Sequence, residues 1–252
     1  MSAAALATAA DPAALTLVVA VAALAVVQSI FGVGLLLFGT PLLLLLGMRY
    51  PDVLAYVLPC SIVVSLLQVV TSGGFTLEPI RRQFLLITAP AVVVMTAVAL
   101  AIGTPRQMRV VIGAILLLTA LTRIGRLQRA LVRSVLRHTR ALMLLLGIVH
   151  GWSNLGGGVL AVIVGSSFDD KESIRRHIAF AYGAMAILQL ALVLVTAHPH
   201  VRTALWLTLP CMAGAIFLLI GQRTFRMTRE RGYQAGLTAL IASFGAILVG
   251  AA

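Results

Sequence analysis

The sequence predicts an all-α integral membrane protein built from two inverted repeats, each a broken or re-entrant helix hairpin followed by three transmembrane helices. Of its 252 residues, 61% are hydrophobic and 10% are charged, and the mean hydropathy of +1.08 lies far above that of water-soluble proteins. Apolar runs near 20 residues, the length that a helix needs to cross a bilayer, recur along the chain. These runs lack the alternating polarity of barrel strands, so helices are predicted.

The apolar segments are uneven in length, and the short ones indicate broken helices. Segments 35–47, 141–150 and 158–168 are too short to cross a bilayer, and each adjoins a glycine-rich stretch at 31–34 or 153–158. Short, glycine-interrupted segments at corresponding places are typical of the broken helices of transporters. The full set of apolar segments is 14–30, 35–47, 53–72, 84–103, 108–122, 141–150, 158–168, 178–196, 203–221 and 233–251.

The second half of the chain resembles the first. A shift of about 124 residues places Gly156 on Gly32, and Gln189 corresponds to Gln68 once a gap of about three residues is allowed. Each half therefore reads as a broken hairpin followed by three longer helices. The predicted division is a first transmembrane repeat at 1–122, a linker at 123–140 and a second transmembrane repeat at 141–252.

Positive charge marks the connections between the segments. The formal net charge is +12, but the arginines lie in short connections instead of one polar domain, which argues against nucleic acid and for anionic lipid as a partner. The positive-inside rule places the connections 123–140 and 222–232 in the cytoplasm. Counting crossings then places 78–82 and 169–177 inside and both termini outside, so the second repeat is inverted relative to the first.

The linker at 123–140 is predicted to be an amphipathic helix. Its arginines follow one another in steps of three or four residues, which keeps them on one helical face opposite Ile124, Leu127, Leu131 and Val135. We expect this helix to lie in the cytoplasmic interface with its arginines toward anionic headgroups; a solvated charged loop is the alternative. The arginines are Arg123, Arg126, Arg129, Arg133, Arg137 and Arg140.

The strongest local signal is the polar, glycine-rich stretch at 150–158. Unpaired backbone groups at membrane depth are tolerated only inside protein or beside a water-filled cavity. Three consecutive glycines let amides approach a ligand closely, and the half-helix that begins near Val159 directs its positive end toward it. A small anion is the predicted ligand, and close helix packing by small residues is the alternative. The substrate-binding candidates here are Trp152, Ser153, Asn154, Gly156, Gly157 and Gly158.

The first half contains a corresponding but less polar break, followed by Thr40 and Pro41. A lone Gly-x-Gly is a weak signal, and it gains weight because inverted repeats bring their broken helices together near the membrane midplane. The long helices carry uncharged polar side chains that either line the pocket or form interhelical hydrogen bonds. The candidates are Gln28, Ser29, Gly32 and Gly34 at the break and Ser61, Ser65, Gln68, Tyr182 and Gln189 on the long helices.

Titratable groups are scarce within the apolar runs. No Asp, Glu, Lys or Arg lies in the middle of a run, which excludes a carboxylate proton relay. His150 is the candidate for proton coupling, with a histidine bonded to a neighbouring carbonyl as the alternative. His150 and Ser153 stand on one short stretch without a third orienting group, so neither a serine hydrolase nor another enzyme is expected. Cys60 and Cys211 are assigned to packing, and no metal or cofactor is expected.

A basic group stands at the predicted inner side. Arg175, Arg176 and His177 are candidates for attracting an anion before it enters the protein. The alternative is that they only set the topology, beside the acidic residues of 169–172.

The two glycine-rich breaks in a small basic chain resemble the TauE/SafE sulfite exporter family. The matching stretches are Phe31-Gly32-Val33-Gly34 and Asn154-Leu155-Gly156-Gly157-Gly158-Val159. The second stretch fits with its full run of glycines, whereas the first has Val33 where the family often has glycine and a leucine run after Gly34. The resemblance implies a bacterial inner-membrane transporter that moves small sulfur-containing anions such as sulfite, sulfoacetate or other organosulfonates, often outward.

We therefore predict a secondary transporter of a small sulfur-containing anion, with export as the expected direction and proton coupling as a further expectation. Alternating access would arise from one hairpin-bearing repeat rocking against the other. A passive anion channel would share the amide-lined pore but need no coupling residue and no closed state. A non-transporting membrane scaffold is a second alternative. A homodimer is a possible assembly.

Overall fold

The computed structural model describes residues 11–74, 78–102, 125–168 and 170–229, with 232, 233, 236 and 239; of 125–137 it describes the backbone only. Every described element is helical, which confirms the predicted all-α fold. The predicted segment 108–122 and most of 233–251 lie outside the described residues. The helices are α1 Pro12–Phe31, α2 Leu35–Leu45, α3 Tyr50–Thr71, α4 Pro79–Ile102, α5 Gly125–Ser153, α6 Gly157–Gly165, α7 Lys171–Thr196 and α8 Thr203–Met227.

Five helices of the described part are long and apolar enough to cross a membrane, namely α1, α3, α4, α7 and α8. The chain is therefore a multi-pass membrane protein. Helix α1 has 20 residues, so the first arm of the first hairpin is long enough to cross by itself. It begins with Asp11 as N-cap and Pro12 in its first turn, and it ends at Gly32 in a left-handed conformation with φ 75°.

Both hairpins are broken where the sequence predicts. After Gly32 the chain turns back through Val33 and Gly34 into α2, which begins as a π-helical turn. A Cβ on Gly34 would lie 2.5 Å from the backbone nitrogen of Gln28, so only glycine allows this reversal. The second break passes from α5 into α6 through Asn154, which has φ 63°.

The linker is helical, and it continues into the second hairpin. Helix α5 runs from Gly125 to Ser153, with His138 in a non-helical conformation (φ −128°, ψ 34°) that divides it. The predicted segment 141–150 is therefore not a separate short helix, because the helix already resumes after the kink at His138. The position of the linker in the membrane interface stays a prediction.

The long helices pack in a pattern that relates the two halves. Helices α3 and α7 pack against each other and are the most buried of the five spans. Helix α4 packs on α5 and α7, and α8 packs correspondingly on α1 and α3. The last described helix of each half thus packs against helices of the other half. A twofold repeat predicts such a pairing, and both the repeat and the inversion of its second half stay predictions.

Helices α4 and α5 approach each other closely through small residues. A Cβ on Gly147 would lie 2.8 Å from the carbonyl oxygen of Thr88, and one on Gly151 would lie 2.6 Å from that of Val92. The Thr88 hydroxyl donates to the carbonyl of Met143 over 2.9 Å. Such close backbone approach and interhelical hydrogen bonds hold helices together where lipid supplies no hydrophobic driving force.

Charged residues collect at the two ends of α7. At its start, His177 Nε2 lies 2.9 Å from Glu78 Oε2, and Arg176 forms an ion pair of 3.6 Å with the same carboxylate. Beyond its other end, Asp52 accepts the backbone N–H of His200 over 2.7 Å. The two segments that carry the first cluster share one side of the protein, in agreement with the predicted topology. That this side is cytoplasmic stays a prediction.

Replacing Asp170 by alanine is expected to destabilise the protein by about 1 kcal/mol. Asp170 is the N-cap of α7, and its carboxylate accepts the backbone N–H of Ser173 over 2.7 Å. This bond holds the pKa of Asp170 below its usual range. The contribution is therefore present above the usual aspartate pKa of about 4 and is lost as the pH falls through the lowered value.

Thermal unfolding in detergent, followed between pH 3 and 7, measures this effect. Asp170→Asn is the matched control, because asparagine caps helices without titrating. The melting temperature of the wild type should fall toward that of Asp170→Asn at acidic pH. An unchanged melting temperature for Asp170→Ala at pH 7 would contradict the role of the cap.

Candidate functional site

The two helix breaks meet inside the protein. Val33 of the first break is fully buried, and its Cγ1 lies 3.4 Å from the position that a Cβ of Gly157 would occupy. Asn154 of the second break bonds through Nδ2 to the Thr40 hydroxyl over 2.8 Å. Residues that are more than 110 positions apart in the sequence are thereby brought into contact.

At the first break, a glutamine from α1 binds the amide that opens α2. The backbone N–H of Leu35 donates to Gln28 Oε1 over 3.1 Å. Gln28 Nε2 donates in turn to Ser61 Oγ of α3 over 3.0 Å, and Ser65 Oγ lies 3.3 Å away. Gln68 Nε2 donates to the carbonyl of Gln28 over 2.8 Å. These side chains therefore hold the half-helix α2 against α1 and α3.

At the second break, a histidine from α5 likewise accepts the backbone amide at the start of the following helix. The backbone N–H of Gly156 donates to His150 Nδ1 over 3.2 Å. A backbone amide can only donate, so Nδ1 must accept and the proton must be on Nε2. Nε2 then donates to Gln189 Oε1 over 3.1 Å. His150 is therefore neutral in this arrangement, and its partners are a backbone amide and the side-chain carbonyl oxygen of Gln189.

The chain of donors continues beyond Gln189 into α4. Gln189 Nε2 donates to the Thr96 hydroxyl over 3.1 Å, which donates to the carbonyl of Gly151 over 3.0 Å. Thr96 is not among the residues predicted from the sequence. A lone hydroxyl in the middle of an apolar run is the signal that could have found it, because such residues often bond across helices.

The two networks correspond element by element. In each half, an amide at the start of the second hairpin arm donates to a side chain from the first arm, Gln28 or His150. That side chain donates to the long helix that follows in its own half, α3 or α7. This hydrogen-bonding pattern is more alike in the two halves than their sequences are. Gln28, Gln68 and Gln189 all form hydrogen bonds between helices.

Tyr182 and Gly157 form the contact at the centre of the site. The Tyr182 side chain is fully buried, and its hydroxyl occupies the space that a Gly157 side chain would need. The hydroxyl has no hydrogen-bond partner among the described residues. The first amides of a helix have no partner within the helix, so those of Gly157, Gly158 and Val159 are left without an acceptor in α6.

Asn154 contributes a second unsatisfied group. It is fully buried, and its Oδ1 has no partner among the described residues. The Thr40 hydroxyl can donate as well as accept, so exchanging the oxygen and nitrogen of the Asn154 amide preserves their bond. In that orientation Asn154 offers an N–H to a ligand.

The remaining predicted residues lie around this centre with other partners. Ser29 Oγ donates to the carbonyl of Ala25, and Ser153 Oγ donates to that of Val149, both over 2.6 Å. The Trp152 carbonyl accepts from the Tyr50 hydroxyl over 3.3 Å. Because Ser153 and His150 are each bonded elsewhere, they do not form a nucleophile and base pair.

Two buried arginines stand near the ends of helices. Arg81 and Arg175 are 2% and 3% exposed. The guanidinium of Arg81 lies 4.8 Å from the centre of the Phe180 ring.

Among the described residues, no group of three or more His, Cys, Asp or Glu side chains could hold a metal ion.

Comparison with known proteins gives one match. A family model described as Sulfite exporter TauE/SafE matches residues 15–248, which is nearly the whole chain. No curated protein and no solved structure matches.

Proposed function

Because the chain belongs to the TauE/SafE sulfite exporter family, we propose that it is a secondary transporter that moves a small sulfur-containing anion, such as sulfite or an organosulfonate, across the bacterial inner membrane. The resemblance seen in the two glycine-rich breaks is thereby confirmed at the level of the family. The family supports membrane transport of sulfur anions. The individual substrate, export as the direction and proton coupling are part of the proposal.

The observation that carries the proposal is the junction of the two breaks. There the start of α6 offers amides of Gly157 and Gly158, and the Tyr182 hydroxyl and the Asn154 side chain are buried with unused hydrogen-bonding capacity. Backbone amides at a helix start together with neutral donors suit an oxyanion. No carboxylate among the described residues lies in this junction to repel one.

His150 offers a route from proton uptake to the anion site. Its Nδ1 accepts the Gly156 N–H. A proton bound at Nδ1 would turn this acceptor into a donor, so the hydrogen bond would break and the Gly156 amide would be released. The start of α6 would then be freed to bind the anion or to move with it. Proton binding and anion binding would thereby be coupled through one residue.

Alternating access is proposed to involve the hairpins. The two hairpins meet at their breaks through the contacts of Val33 with Gly157 and of Thr40 with Asn154. We propose that one repeat rocks against the other across the contacts that α4 and α8 make with the opposite halves. The passive channel remains the alternative function, because it would use the same amides.

Uptake of labelled sulfite and sulfoacetate into proteoliposomes tests the proposal. We expect saturable flux that responds to a pH gradient and accelerates when unlabelled substrate is present on the opposite side. A channel would show neither saturation at low concentration nor this acceleration. Flux no greater than that of empty liposomes for both anions would contradict the proposed substrate class.

A further inference from the structure

Arg175 is a buried cation beside the first break. It stands near the start of α7 and is 3% exposed. Its Cγ lies 3.5 Å from the position that a Cβ of Gly32 would occupy. Gly32 is followed by Val33, the residue that packs next to Gly157. The Arg175 side chain therefore packs on Gly32, and the next residue along the chain contacts the proposed anion site.

The guanidinium of Arg175 is only partly bonded. Its Nη2 donates to Ser72 Oγ over 3.1 Å, and its carbon lies 3.5 Å from the centre of the Phe225 ring. The buried Nε and Nη1 have no hydrogen-bond partner among the described residues. Asp11, Asp52 and Glu78 form ion pairs with other cations, and Arg175 forms none with a described carboxylate. Glu172, three residues before it in the chain, acts on its charge without an ion pair.

The neighbouring Arg176 differs in this respect. Its Nη2 pairs with Glu78 over 3.6 Å, and its Nη1 donates to the carbonyl of Ser72 over 3.3 Å. A role in setting topology requires positive charge at the interface, and Arg176 suffices for that. It does not account for the burial of Arg175 without a carboxylate, because an unpaired buried charge is costly.

We infer that Arg175 binds the transported anion at a second site, on the α7 side of the first break. A guanidinium offers its N–H groups in a planar fork that matches two oxygens of a sulfite, sulfate or sulfonate group. The anion supplies a counter-charge in direct contact with the guanidinium, which no described carboxylate provides. This inference rests on the proposed function and deepens it, since it adds a second binding site that the anion occupies on its way to or from Gly157.

Anion binding in a Gly157→Ala background isolates this second site. The purified protein in detergent is melted with sodium sulfite or sodium methanesulfonate, against sodium chloride at the same ionic strength. We expect Gly157→Ala to keep an anion-dependent rise in melting temperature. Adding Arg175→Gln should weaken the apparent affinity at least tenfold, and adding Arg176→Gln should leave it nearly unchanged.

Several outcomes would overturn the inference. It is wrong if the Gly157→Ala protein shows no anion-dependent shift, or if Arg175→Gln and Arg176→Gln behave alike. A merely structural arginine, held by Ser72 and the Phe225 ring, would lower the melting temperature equally in chloride and sulfite when replaced. If Arg175→Gln does not fold, Arg175→Lys keeps the charge, loses the fork and should still bind more weakly.

Flux measurements separate this inference from the proposed function. In the otherwise wild-type protein, Arg175→Gln should raise the half-saturating sulfite concentration at least tenfold while changing the maximal rate less. Absence of flux in the wild type, with binding still lost in Arg175→Gln, would defeat the proposed transport and leave the anion site. Normal flux and normal half-saturation in Arg175→Gln would defeat the anion site and leave transport.

Discussion

Replacing Gly157 by alanine should lower the initial rate of sulfite uptake into proteoliposomes at least tenfold. The added Cβ would fall on the Tyr182 hydroxyl and lie 3.4 Å from Val33 Cγ1. Overpacking of a buried position costs about 1–3 kcal/mol, and each 1.4 kcal/mol corresponds to roughly a factor of ten. The displacement falls where the first amides of α6 must approach the anion, so binding suffers directly.

Gly165→Ala is the matched control for this experiment. Gly165 ends the same helix α6, and a Cβ there meets no atom within 4 Å. We expect this variant to transport like the wild type. Equal flux in Gly157→Ala and Gly165→Ala would contradict the proposed site.

The double variant Gly157→Ala, Tyr182→Phe separates steric from chemical effects. Removing the hydroxyl leaves the ring carbon Cζ 3.0 Å from the new Cβ, a contact that a small shift can relieve. Recovered folding stability without recovered flux would indicate that the hydroxyl or the exposed amides contact the anion. Recovery of both would indicate that the glycine serves only to accommodate Tyr182.

Replacing His150 by glutamine should abolish the response of transport to a pH gradient while preserving the fold. Glutamine can accept from the Gly156 amide and donate toward Gln189, as Gln28 does at the first break. It does not titrate, so the amide is no longer released by a proton. Flux of labelled sulfite, measured with and without an imposed gradient, should become equal in the variant.

His150→Ala shows what the loss of both hydrogen bonds costs. The buried Gly156 N–H and Gln189 Oε1 would be left unpaired, at about 1–3 kcal/mol each. We therefore expect a lower melting temperature for His150→Ala than for His150→Gln. A gradient-dependent flux that survives in His150→Gln would show that coupling occurs elsewhere, and His150 would then be a purely structural residue.

Much of the architecture could be predicted from the sequence because the bilayer restricts the possibilities so strongly. Long apolar runs must be helices, since unpaired backbone groups cannot face lipid. The glycines at 32 and 34 and at 156–158 locate the breaks for the same reason. The sequence predicts a short segment at 141–150 because arginines precede it. The helix that carries those arginines instead continues into this segment through a kink at His138.

The sequence by itself determined the membrane class, the helical breaks and the family to which those breaks belong. Only the tertiary structure decided which polar side chains hold the breaks and which stay unsatisfied. Gln28, Gln189 and Tyr182 each carry a hydrogen-bonding group and are equally buried, yet the two glutamines bond between helices and the Tyr182 hydroxyl has no partner among the described residues. Hydrogen bonding depends on distances between groups far apart in the chain, and periodicity along the sequence contains no such distances.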